Sequence, residues 1–100
     1  SDEDDAKTQA EACTKKGYHQ ADCIYKEALA ATDLQMCDQI DVEVLSMDEK
    51  SSEHKAYIPV IKDKCIFEVS IKTKNRDRCT DLADSKYQYN SDICFFEIAA

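Results

Sequence analysis

Glycine and proline are almost absent from this chain of 100 residues, which holds one of each, Gly17 and Pro59. A β-sandwich or barrel needs turn residues every 8–12 positions or so, and this chain cannot supply them. The same shortage excludes the glycine-rich loops that cradle phosphates. Tryptophan is missing, and 43% of residues are hydrophobic, so the core is modest. No apolar run approaches the ~20 residues of a membrane span. There is no Asn-x-Ser/Thr sequon: Asn75 and Asn90 are both followed by sequences that fail the pattern. No leader sequence is visible, and we read the chain as a mature form whose signal has been removed.

What is abundant is cysteine and acid. Six cysteines stand at 13, 23, 37, 65, 79 and 94. An even number with ordered spacing in a short chain reads as a disulfide framework formed in an oxidising, extracellular setting. Structural zinc sites want cysteines two to four residues apart. The nearest pair here has nine residues between them, so no metal or other cofactor is expected. The net charge is −8, with acids at four of the first five positions, Asp2, Glu3, Asp4 and Asp5. That sign argues against nucleic acid and anionic membrane surfaces as partners. The acidic run has neither the spaced acids nor the glycine of an EF-hand, and reads as a flexible arm over residues 1–5.

Residues 6–100 read as one helical domain, rich in Ala, Lys, Glu, Gln and Asp. Ala6, Ala10 and Cys13 predict a helix over 6–16 with Gly17 as its C-cap. Ala21, Ile24, Tyr25, Ala28 and Leu29 predict a second over 21–31. A different stripe, Leu34, Cys37, Ile40, Val44 and Met47, predicts a third over 34–47, with Asp33 as N-cap. Polar residues 46–57 read as the longest loop, followed by a helix from Pro59 to about 72. Phe67–Lys72 also alternates like a strand, but its counterpart Tyr25–Ala30 is plainly helical. A helix over 75–84, a tyrosine-rich loop at 85–91 and a helix from Asp92 complete an all-α fold of about six helices in three disulfide-stapled hairpins.

The sequence repeats around the cysteines. Thirteen residues separate Cys23 from Cys37, and thirteen separate Cys65 from Cys79. Cys23-Ile24-Tyr25 recurs as Cys65-Ile66-Phe67 and as Cys94-Phe95-Phe96. In a helical hairpin, bridged cysteines must lie about equally far from the turn. Cys13 and Cys23 satisfy this around 17–20, as do Cys79 and Cys94 around 85–91. Cys23 and Cys37 are offset by ~6 Å along the helix axis, too much for a bond needing Cα atoms within ~7 Å. Of fifteen pairings the predicted set is 13–23, 37–65 and 79–94.

This frame resembles repeats found in uncharacterised secreted proteins of archaea and some bacteria. There a cysteine and an aromatic open a helix, then small residues, an Asp/Asn cap, a second cysteine and an Ile or Leu come after. The matching residues are Cys23, Tyr25, Ala28, Asp33, Cys37 and Ile40, then Cys65, Phe67, Ser70, Asn75, Cys79 and Leu82, with a truncated copy at Cys94, Phe96 and Ala99. The resemblance implies secretion and helical-hairpin repeats, and it carries no active-site residue. The six-cysteine insect odorant-binding proteins are similar in size and acidity. Their second and third cysteines have three residues between them, and no such pair exists here.

No catalytic constellation emerges. His19 and His54 fall in polar surroundings, no nucleophile elbow is present, and we expect no enzyme. The expected role is a secreted interaction or self-assembly module, bound to a protein partner or to itself. A carrier of a small apolar ligand and a secreted toxin or signalling effector are the alternatives. Candidate interaction residues are the loop tyrosines Tyr18, Tyr57, Tyr87 and Tyr89. Phe95 and Phe96 at the apolar end and the basic stretch with Lys72, Lys74, Arg76 and Arg78 complete the set.

Overall fold

A computed structural model describes residues 13–83 and 87–100. Among them there are five α-helices, one 3-10 helix and no strand. We number the helices α1 (Tyr18–Ala31), α2 (Leu34–Cys37), α3 (Val42–Met47), α4 (Ser52–Thr73) and α5 (Ser91–Ala99), with the 3-10 helix at Arg76–Asp81. The long α4 is the axis of the fold and touches α1, α2, α3, the 3-10 helix and α5.

The three disulfides are Cys13–Cys23, Cys37–Cys65 and Cys79–Cys94, each with Cα atoms 5.7 Å apart. They agree with the pairing from hairpin balance. Cys37, Cys65, Cys79 and Cys94 are fully buried among Ile40, Ile58, Val69 and Ala28.

The repeat has a structural signature at the end of its long helix. After α1, Thr32 turns left-handed at φ 51°, and the Asp33 N–H donates back to the Ala28 carbonyl at 3.0 Å. After α4, Lys74 turns at φ 55°, and the Asn75 N–H donates to the Ser70 carbonyl at 2.9 Å. Both are Schellman closures made without glycine. Asp33 and Asn75 then accept from Gln35 N–H and Asp77 N–H and start the next short helix. In both copies a cysteine stands four residues further on.

Ala28 and Ser70 are equivalent and fully buried. Among the described residues the Ser70 hydroxyl oxygen has no hydrogen-bond partner. An unsatisfied buried hydroxyl costs about 1–3 kcal/mol. Ser70→Ala is therefore expected to raise stability by about 1 kcal/mol in chemical denaturation; a loss would show that the hydroxyl has a partner.

Four expectations are corrected. Residues 6–12 lie outside the described residues, and 13–16 carry no regular structure, so Gly17 starts α1 rather than ending a helix. The expected 34–47 helix breaks at 38–41, because Asp41 makes its own N-cap by accepting from Val44 N–H at 3.1 Å. The break rotates α3, so Leu45 is buried while Val44 and Met47 are 50% and 77% exposed.

The expected 46–57 loop is mostly helix: 46–47 end α3 and 52–57 begin α4, leaving 48–51 between them. Ser51 caps α4 by accepting from His54 N–H, Glu53 sits in the first turn, and Pro59 lies inside the helix rather than at its start. The 75–84 helix is the short 3-10 turn, which ends where Leu82 becomes extended. The strand-like stretch Phe67–Lys72 lies within α4.

Candidate interaction surfaces

Tyr18 opens α1, and its N–H donates to Glu49 Oε1 at 2.7 Å. That carboxylate reaches the helix start only because residue 17 is glycine. Gly17 has φ 63°, and a Cβ there would lie 1.8 Å from Glu49 Oε1. The Tyr18 ring stacks at 4.0 Å from His19 and 4.5 Å from His54, whose Nδ1 is 3.5 Å from Glu49 Oε2. Sequence reading misses Glu49 and leaves both histidines as isolated polar residues. No local periodicity links positions 18, 49 and 54.

Tyr18 also borders a groove of about 420 Å³, open to solvent, with Tyr57, Val60, Ile61 and Lys64 of α4 and Tyr89. Tyr57 thus stands on a helix, half-exposed, rather than in a loop. Tyr87 donates its hydroxyl to the Asp63 carboxylate, and Tyr89 packs edge-on against Phe67 with ring centres 5.4 Å apart. The buried Asn90 side chain accepts from Ile93 N–H at 2.8 Å and donates to the Tyr87 carbonyl at 2.7 Å. Of the four tyrosines expected in loops, Tyr87 and Tyr89 therefore hold the segment before α5 onto α4, while Tyr18 on α1 and Tyr57 on α4 face the groove that Tyr89 also lines.

Burial pushes the Tyr25 and Tyr87 phenols above their ordinary value, and their carboxylate acceptors, Glu68 and Asp63, push in the same direction. Burial raises the Asp63 carboxyl, opposed by the Tyr87 hydrogen bond and Lys62. A raised phenol stabilises the fold below the unfolded value of about 10. Above it the unfolded chain loses its phenolic protons first, so stability falls as pH rises toward the folded values. Thermal melts from pH 8 to about 11 should fall, with a flatter decline for Tyr25→Phe/Tyr87→Phe; an identical slope would remove the phenols from the explanation.

The basic stretch is partly committed within the molecule. Arg78 reaches Asp38 through Nη2 at 2.7 Å and Asp81 through Nε at 2.6 Å. The Asp38 hydrogen bond is the main cause raising its guanidinium pKa, followed by the opposing effect of burial. Lys72 Nζ donates to the Leu29 carbonyl at 3.1 Å, and Lys74 forms the left-handed turn. Lys74 and Arg76 remain exposed.

The carboxyl-terminal end differs. The aromatic two residues after the helix cysteine is Tyr25 in α1, Phe67 in α4 and Phe96 in α5. Tyr25 is 8% exposed, against Glu68 and beneath Lys64 Nζ, 4.8 Å from its ring centre. Phe67 packs against the core. Phe96 is 70% exposed, beside a 39% exposed Ile93, while Phe95 and Ile98 are partly covered.

Among the described residues no group of three His, Cys, Asp or Glu side chains could hold a metal ion. No described helix is long and apolar enough to cross a membrane. Comparison with protein-family models, with curated proteins and with solved structures finds no match.

Proposed function

We propose that this chain is a secreted, non-enzymatic interaction module that assembles with copies of itself at an extracellular surface or in a filament. The observation that carries this reading is the exposure of Phe96. At the same repeat position Tyr25 and Phe67 are covered by later segments of the chain, and Phe96 is not. A large exposed aromatic at a position that the other repeats cover is an anchor for another unit. The three disulfides suit an oxidising environment. The resemblance to repeats in secreted proteins supports the same setting. The groove beside Tyr18 is open to solvent, whereas a carrier of apolar ligands needs an enclosed cavity.

The test is sedimentation velocity of the oxidised protein from about 1 µM to 1 mM. The wild type is expected to associate with rising concentration, and Phe96→Ser to stay monomeric with an unchanged melting temperature. A wild-type monomer throughout would overturn self-assembly.

A further inference from the structure

We infer that the partner covering Phe96 is a second copy of this chain, docked head-to-tail with its α1 against α5. This rests on the self-assembly reading and adds which surface receives the aromatic.

The internal repeat supplies the geometry. Count positions from the helix cysteine. Tyr25, two after Cys23, lies against Lys64 and Glu68, which are one before and three after Cys65. The corresponding residues of α1 are Asp22 and Lys26. Four before and four after the cysteine, α4 places Ile61 and Val69 against its neighbours, and α1 has His19 and Glu27. These four α1 residues share a concavity of about 280 Å³ with Cys13, Thr14, Lys15 and Cys23. Among the described residues, the face of α1 that would receive a preceding helix is therefore hollow at the register where that helix would place its aromatic. The tail offers an exposed aromatic at the matching position.

The chemistry fits. Tyr25 needs an acceptor for its hydroxyl, and Glu68 supplies it. Phe96 needs none, and at the Glu68 position the head carries Lys26, whose ammonium is attracted to a ring face as Lys64 is to Tyr25. Lys26 is 70% exposed and pairs with Asp22 at 2.9 Å, so it stands at the mouth of the concavity. The tail helix α5 carries Asp92 and Glu97 and no base, whereas the head adds Lys15.

Tail-to-tail pairing would set those acids against their own copies, which repulsion opposes. With His19 and Glu27 in place of Ile61 and Val69, the head is polar enough to stay soluble alone. The contact is then reversible. Each docked copy leaves one head and one tail free, so the contact propagates as a chain of subunits.

The test blocks each end separately. Phe96→Asp disables the tail, and Lys15→Glu with Lys26→Glu disables the head. Each variant alone is expected to be monomeric, with association at least about tenfold weaker than wild type. An equimolar mixture is expected to form a heterodimer and nothing larger, because one intact head meets one intact tail.

A head-blocked variant that dimerises alone would overturn the proposal in favour of tail-to-tail pairing, leaving self-assembly through Phe96 standing. Association seen only in a chain lacking residues 1–12, with the full chain monomeric throughout, would overturn the proposal together with self-assembly of the full chain. No association of the wild type under any condition would remove the underlying reading itself.

Discussion

Cys37→Ala/Cys65→Ala is expected to lower stability by about 3.5 kcal/mol, the largest loss for any of the three bridges. The bond closes a sequence separation of 28, against 15 for Cys79–Cys94 and 10 for Cys13–Cys23. Loop-closure entropy orders the three as about 3.5, 3.0 and 2.7 kcal/mol. Packing widens the gap. Cys37 and Cys65 are both fully buried and tie the one-turn α2 to the central α4, beside Ile40, Ile58 and Val69. Alanine rather than serine avoids leaving two hydroxyls buried without partners. For a domain of this size the loss is a drop in melting temperature of about 15–25 °C. A double variant melting within a few degrees of wild type would show that α2 is held by its packing alone. A larger drop on opening Cys13–Cys23 would sink the ordering.

Pro59→Ala is expected to stabilise the fold by about 2 kcal/mol. Pro59 lies inside α4, well beyond its first turn, and is exposed to solvent. It has no N–H for the Lys55 carbonyl one turn earlier, and a proline in a helix interior costs about 3 kcal/mol relative to alanine. Part of that is offset because alanine frees the unfolded chain, by about 0.4–1 kcal/mol. The gain is read as a higher denaturation midpoint with an unchanged slope. A neutral or destabilising result would mean that α4 needs its proline, for instance to set the direction of residues 52–58 against the Tyr18 ring. Ile58, next to it and fully buried, would report such a shift through its packing.

How much is legible in the sequence alone depends on the range of the interaction. The Asp33 and Asn75 caps act over two residues, and both stand where the repeat puts them. The disulfide pairing expected from turn position agrees with the structure, although Cys13 stands in an irregular segment rather than on a helix and Cys37–Cys65 joins residues 28 apart. Helices without an apolar stripe are less legible. Residues 52–57 show no buried side chain, so nothing in their pattern announces a helix; they are helical because Ser51 caps them and α4 continues beyond. Val44 and Met47 mislead in the opposite direction. They continue the stripe of Leu34, Cys37 and Ile40 at helical spacing, but Asp41 starts a new helix and turns them to solvent.

The amino-acid sequence by itself determined the all-α class, the bridge pairing and the equivalence of Tyr25, Phe67 and Phe96. Those come from composition, helix geometry and repetition, which need no knowledge of what lies across the fold. Only the tertiary structure decided which equivalent aromatic is covered. Tyr25 has Lys64 and Glu68 beside it, Phe67 has Tyr89, and Phe96 has open solvent. Identical repeat positions differ because burial is a property of neighbours, and the last copy has none on that side among the described residues. The same holds for Gly17 and Glu49, far apart in the chain, where the approach of one carboxylate to one helix start requires a residue without a Cβ.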